Sequence, residues 1–230
     1  MFLPNPYPAD PPFTPEQFAR ADPMPDGRFY AEPRLVTHID DTAIAIIGDV
    51  LRDLIRPGDA ILDLMSSWKS HLPPGAQPGR VVGVGMNAVE LAANEQLDEW
   101  LVRDLNADPT LPCADAEFDL AIITVSIQYV VRPLTLFREI RRILKPGGAL
   151  VVIFSNRLFP TKAVRIWQET DDAGHVALVR RYFDLAGGFR DVRFIDRSDP
   201  PLQGRRGWAP QRHDPVYVVL GTKEPGGTGA

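Results

Sequence analysis

Five short apolar runs, at residues 60–65, 81–84, 100–102, 120–125 and 149–154, punctuate the middle of the chain. Each is dominated by apolar residues rather than alternating and is short enough for a buried strand, the pattern of a strand covered on both faces. Residues 88–97, 134–144 and a longer stretch, 161–185, have helical periodicity and connect successive runs. Parallel strands need such connections, so the alternation predicts an α/β doubly wound sheet. A further helix precedes the first run, where Ala43, Ile44, Ile46, Ile47, Val50, Leu51 and Leu54 share one face. Thr37 and Asp40 are its capping candidates, and Pro57 and Gly58 its stop. Residues 192–195 and 216–220 read as two last strands, paired antiparallel at the sheet edge. The expected fold is a mostly parallel, seven-stranded sheet with an antiparallel C-terminal strand.

The ends of the chain are different. Prolines at 4, 6, 8, 11, 12, 15, 23 and 25 deny residues 1–28 a regular ladder or long helix, because each lacks an N–H and restricts its predecessor. These residues predict an extended arm over the domain, which itself occupies 29–223. Residues 224–230 are Gly-rich and too poor in apolar surface to order themselves, and predict a loose tail. With 230 residues and a hydrophobic share of 44%, one core suffices. No apolar run approaches the roughly 18 residues of a membrane span.

A formal net charge of -5 works against a phosphate backbone as partner. Neither a nucleic acid nor a membrane is expected. Cys113 is the single cysteine, so no internal disulfide forms. The N-terminus lacks the basic start and apolar core of a signal peptide, so a cytoplasmic location is expected. The sequence does not fix the oligomeric state.

In an open parallel sheet, ligands bind beyond the carboxyl ends of the strands where strand order reverses. Those ends read Asp63 to Trp68, Gly85 to Asn87, Asp104 to Asn106, Ser126 to Tyr129 and Ser155 to Arg157. The stretch DLNADPTLPCADAEFDLAIITVSIQYVVRPLTLFREIRRILKPGGALVVIF resembles the class I S-adenosylmethionine-dependent methyltransferase family, specifically its methyltransferase type 11 branch. That family places an acid after the third strand, then a Leu-Pro pair. Phe-Asp opens its fourth strand, and Lys-Pro-Gly-Gly leads into its fifth. Asp104, Leu111, Pro112, Phe118, Asp119, Lys145, Pro146, Gly147 and Gly148 stand in those places, and the resemblance runs from about residue 40 to 220.

The resemblance implies a Rossmann-like methyltransferase fold, S-adenosylmethionine as cofactor with S-adenosylhomocysteine as product, and a small-molecule methyl acceptor. It assigns Asp104 to the exocyclic amine of adenine and the backbone N–H of Leu105 or Asn106 to a ring nitrogen. The alternative is that Asp104 only begins a turn with Asn106. Residues 145–148 read as structural, Pro stopping a helix and Gly supplying positive φ.

Two places depart from the family pattern. After the first strand the family has an acid and three spaced glycines, whereas this chain has Asp63, Leu64, Met65, Ser66, Ser67, Trp68, Lys69 and Ser70. Ser66 and Ser67 are small and can donate to a carboxylate. The helix that should follow is cut to barely two turns by Pro73 and Pro74. At the end of the second strand the ribose-binding acid is replaced by Gly85. Met86 can lie against adenine, and Asn87 can take a ribose hydroxyl or cap the next helix.

Ser126, Gln128 and Tyr129 follow the fourth strand, where the resemblance implies residues near the transferred methyl group. Gln128, Tyr129, Asn156, Arg157 and Tyr30 are candidates for the acceptor pocket. For Tyr129 the alternative is the core, and for Arg157 a surface salt bridge. Tyr30 and Arg34 are placed to close over the cleft as a lid. Arg205, Arg206, Arg212 and His213 crowd the late loop, which would attract an anion or simply be solvated. His38, His71, His175 and His213 have no metal-ligand spacing, so no metal is expected. The catalytic residue is left open.

Three other functions compete. A noncatalytic binding or regulatory protein would keep the fold after its first loop drifted. A nicotinamide-dependent oxidoreductase lacks G-x-G-x-x-G, and a serine hydrolase lacks the G-x-S-x-G elbow.

Overall fold

The computed structural model describes residues 1–225 apart from 4, 9 and 204–209. Arg205, Arg206 and residues 226–230 therefore lie outside the described residues. Seven strands, β1 (Ala60–Ser66), β2 (Arg80–Gly85), β3 (Glu99–Val102), β4 (Phe118–Thr124), β5 (Leu144–Phe154), β6 (Phe189–Asp196) and β7 (Tyr217–Lys223), form one sheet of order β3-β2-β1-β4-β5-β7-β6. The first five are parallel, and β7 runs antiparallel between β5 and β6. Strand order reverses between β1 and β4. The helices are α1 (Asp26–Phe29), α2 (Asp41–Arg52), α3 (Ala88–Ala92), α4 (Pro133–Ile143), α5 (Arg165–Gln168) and α6 (Asp172–Ala186).

Four of the five apolar runs are strands because their residues have a core to enter on either face; β3, at the sheet edge, differs from the expectation and leaves Trp100 and Val102 exposed. Leu62, Leu64, Val84 and Ile123 join one cluster with α4 and α6, while Ile61, Val81, Ile122 and Val151 join another with α2. Burying one such side chain is worth about 1.5–3 kcal/mol. Asp40 caps α2, its Oδ1 accepting from the Ala43 N–H at 2.8 Å. No helix among the described residues is long and apolar enough to cross a membrane.

Several expected elements differ. The segment 67–79 contains no helix, rather than a short one, so no helix N-terminus faces the β1 exit. Of 88–97 only α3 is helical. Leu144 leaves the preceding helix to pair with Phe118, and residues 145–148 become an irregularity within β5, where Gly147 has φ 81°. The 161–185 stretch divides into α5 and α6 because Asp171 turns its carboxylate onto the Gly174 N–H at 2.8 Å and starts a new helix.

The N-terminal arm does more than lie over the domain. Phe13 and Phe18 are buried in the main cluster, edge-on to each other, and Phe13 also meets Tyr182. Asp10 accepts from the backbone N–H groups of Leu134 at 2.5 Å and Thr135 at 3.0 Å, so a residue from the arm caps α4. Arg20 and Asp26 form a buried ion pair at 2.7 Å, and the fully buried Lys162 ammonium joins Asp26 at 3.1 Å. Prolines exclude regular hydrogen bonding but not the burial of aromatic rings.

Candidate active site

The exits of β1 to β4 converge on a cavity of about 340 Å³, with residues 30–39, which follow the arm, and 157–159 forming the other walls. Asp63, Met65, Ser66, Ser67, Gly85, Met86, Asn87, Asp104, Leu105, Asn106 and Ser126 all line it, as do Tyr30, Tyr129 and Arg157. Gln128 and Asn156 do not. A volume above roughly 300 Å³ is in the range of small-molecule sites. Backbone strain gathers here, since Met65, His71 and Val125 adopt φ of 56°, 56° and 50° and all border the cavity. A β-branched residue such as Val125 rarely adopts that conformation.

The glycine-free exit of β1 keeps a left-handed residue without glycine. Met65 bulges out, so that Leu64 pairs with Val84 but Ser66 pairs with Gly85. The bulge presses the Ser66 carbonyl against β2. A Cβ at position 85 would lie 2.2 Å from that oxygen. Gly85 is therefore required by the shape of β1, and the two departures from the family pattern are one rearrangement. Asp63 is 2% exposed; its carboxylate accepts from Ser66 Oγ at 2.5 Å. Burial pushes its pKa up to about 6, against the opposing hydrogen bonds of Ser66 and Ser70.

Both loop hydroxyls are thus turned onto protein acids. Ser67 Oγ donates to Glu90 Oε2 at 2.6 Å, and Glu90 Oε1 accepts from the Arg34 N–H at 2.7 Å. Donation by Ser66 and Ser67 to a ligand carboxylate is accordingly replaced by lone pairs that can receive a cation. Glu90, on α3, was not singled out from sequence. Its only signal there is an acid five residues beyond Gly85, in the first turn of a helix.

Asn87 caps α3 through Oδ1, accepting from Val89 and Glu90, while Nδ2 donates to the Tyr30 and Ala31 carbonyls at 2.9 and 3.0 Å. Its amide holds the arm down and has no donor left for a ribose. Asp104 does begin a turn, its Oδ1 accepting from the N–H groups of Asn106 at 2.9 Å and Ala107 at 3.1 Å. That takes the Asn106 N–H away from a ring nitrogen. Asp104 Oδ2 and the Leu105 N–H have no hydrogen-bond partner among the described residues. Asn106 spends its side chain on Asp26, the Tyr129 carbonyl and the Val131 N–H.

At the end of β4, Thr124 Oγ1 and Ser126 Oγ line the cavity, buried and without hydrogen-bond partners among the described residues. A short 3-10 turn, Ile127–Tyr129, rotates Gln128 into the protein, where Nε2 donates to the Val125 and Arg157 carbonyls. Tyr129 is 6% exposed, its hydroxyl accepting from the Phe159 N–H and its ring stacked on Phe159. Asn156 is exposed away from the cavity. Arg157 borders it but pairs with Asp214 at 2.8 Å. Tyr30 is held as the neutral phenol by burial.

His38 and His71 border the cavity, and burial holds both imidazoles neutral, His71 down to about 4. His175 stacks on Trp167, and His213 bonds the Asp214 carbonyl through Nδ1. Among the described residues no group of three metal-ligating side chains comes together.

Residues 69–152 match a family model described as a methyltransferase domain. The match begins just past the glycine-free β1 exit. A malonyl-[acyl-carrier protein] O-methyltransferase from Hahella chejuensis is 28% identical over 142 residues, 56% of this chain and 49% of that protein. A demethylmenaquinone methyltransferase from a Mycobacterium species is 35% identical over 113 residues, 46% of this chain and 48% of that one. The matched stretch thus spans just under half the length of each of these relatives. The crystal structure of an S-adenosylmethionine-dependent methyltransferase from Mesorhizobium loti superposes with a TM-score of 0.51 at 18% identity, covering 76% of this chain and 96% of the other. Its likeness is one of fold. Over residues 69–152 the chain is thus similar to methyltransferase domains, and its fold is that of an S-adenosylmethionine-dependent methyltransferase of known structure.

Proposed function

We propose that the protein transfers a methyl group from S-adenosylmethionine to a small-molecule acceptor. The observation that carries this reading is the free adenine-reading pair at the β3 exit, Asp104 Oδ2 and the Leu105 N–H, in the same cavity as the acids at the β1 and β2 exits. Bound there, S-adenosylmethionine supplies a methyl group already activated on a sulfonium. Asp104 would accept the adenine amine and Leu105 donate to the ring, a donor and acceptor arrangement that selects adenine. Glu90 would take the ribose hydroxyls in place of the missing acid at position 85. Asp63 and the lone pairs of Ser66 and Ser67 favour the cofactor's cationic end.

An activated methyl group needs alignment and a dry pocket more than a strong base. Tyr129, Phe159 and Tyr30 supply the apolar wall, with the Asn87 side chain holding residues 30–31 over the opening. His38 and His71 line the cavity as neutral imidazoles, and the burial that keeps them so disfavours the imidazolium, so neither is assigned as a base. Calorimetric titration with S-adenosylmethionine and S-adenosylhomocysteine tests the reading. Binding of both, weakened by Asp104→Asn, is expected; absence of either heat or thermal shift would overturn it. The commitment of the Ser66 and Ser67 hydroxyls to protein acids favours one competing reading, a methyltransferase fold retained for binding or regulation. That reading predicts a ligand without turnover.

A further inference from the structure

We propose that Arg34 and the aromatic rings around it form a carboxylate subsite for the acceptor, so that the molecule methylated is a planar aromatic acid. The Arg34 guanidinium lies over three rings, 4.5 Å from the centroid of Phe29, 5.6 Å from Phe159 and 5.8 Å from Tyr30. Nη2 donates to the Phe29 carbonyl at 2.8 Å. Among the described residues the buried Nη1 has no hydrogen-bond partner, and no carboxylate pairs with the Arg34 guanidinium, Glu90 meeting only its backbone N–H. Leaving such a donor buried is costly unless a ligand completes it.

The remaining cations of the cavity are differently placed. Arg103 pairs with Asp108, and Arg157 with Asp214. Lys69 sits over the Trp68 ring on the β1 exit loop itself, within the cofactor half of the site, and is available to the cofactor's own carboxylate. Arg34 is left for a second anion. With Nη2 bonded to the Phe29 carbonyl and Nη1 uncommitted, the guanidinium over these rings keeps N–H groups for the fork that matches a carboxylate. The neighbouring surface suits a flat ring, since Phe159 stacks with Tyr129 at 5.9 Å and meets His38 and Phe29 edge-on at 5.1 and 5.2 Å.

This substrate class rests on the methyltransferase reading, and one set of titrations separates the two. Protein with and without S-adenosylhomocysteine is titrated with matched pairs: benzoate and benzamide, 4-hydroxybenzoate and its amide, 2-naphthoate and its amide. At least one acid should bind about tenfold or more tightly than its amide. Arg34→Gln should abolish the preference and Arg34→Lys retain part of it. If no acid exceeds its amide in the unaltered protein, including the case in which neither binds, the subsite is refuted whether or not the variants fold. A preference that survives Arg34→Gln refutes it as well. The source of the carboxylate is tested with S-adenosylhomocysteine and 5′-methylthioadenosine, which lacks the amino-acid end. If Arg34→Gln weakens the first tenfold and not the second, Arg34 serves the cofactor and the acceptor assignment is overturned. If S-adenosylhomocysteine itself does not bind, the methyltransferase reading falls, while the acid and amide comparison on unloaded protein still decides the subsite.

Discussion

Replacing Asp63 with asparagine should change how stability depends on pH. The carboxyl is buried at the exit of β1, and its pKa rises from an ordinary 3.8 to about 6. Below pH 3.8 it is protonated in both folded and unfolded chains. Between the two values the folded protein holds a proton that the unfolded chain has lost. Above about 6 both are ionised, and the folded state carries a buried charge. Stability from this group is therefore complete at low pH and lost as pH rises through the window. At about 1.4 kcal/mol per pH unit, the loss comes to about 3 kcal/mol. The asparagine amide does not titrate, so the stability of Asp63→Asn relative to the native protein should climb by about 3 kcal/mol between about pH 4 and about pH 8. The loss or gain of hydrogen bonds to Ser66 and Ser70 adds an offset independent of pH. In a chain of this size that climb is about 6–12 °C in relative melting temperature. Paired thermal or urea melts across the range measure it, and other titrating groups cancel in the difference. A difference constant to within about 0.5 kcal/mol would refute the burial argument.

Four further outcomes follow from the same geometry. Gly85→Ala should cost about 1–3 kcal/mol, read as a lower urea midpoint, because its Cβ meets the Ser66 carbonyl; an unchanged midpoint would show that the β1 bulge relaxes freely. Glu90→Gln should weaken S-adenosylhomocysteine about tenfold or more by calorimetry, and an unaltered constant would remove Glu90 from the ribose. Phe18→Ala should cost about 3–5 kcal/mol, and deletion of residues 1–28 should lower the melting temperature sharply, whereas a truncated chain of native stability would return the arm to the status of a surface cover.

The sheet was legible because parallel strands buried on both faces leave apolar runs with little room for polar interruption. The helix α2 was legible for a related reason, its apolar face and its Asp40 cap being adjacent in sequence. Much of the site could be located from strand ends alone, since topology brings Asp63, Gly85, Asp104 and Ser126 together whatever their neighbours. What each side chain does was less legible. The Asn87 amide is consumed by carbonyls at positions 30 and 31, and Arg157 by an aspartate 57 residues away. Neither partner is visible at short range. Gln128 points inward because three residues form a 3-10 turn, a local rotation that strand counting does not contain. Phe13 and Phe18 were hidden by the prolines around them, which report on backbone hydrogen bonding and say nothing of where an aromatic ring is buried.

The bulge at Met65 also governs how the chain can change. A side chain at position 85 is forbidden while the Ser66 carbonyl occupies its space, and that carbonyl is displaced only if the β1 exit is reshaped. Restoring an acid at position 85 alone would clash, whereas remodelling the loop alone would leave Ser67 and Glu90 without their present contact. The two positions are therefore coupled, and the effects of replacing them should not add. Aligned residue by residue, such a chain shows two lost motifs; in three dimensions it shows one bulge that accounts for both and an acid, Glu90, brought to the same cavity from the next helix.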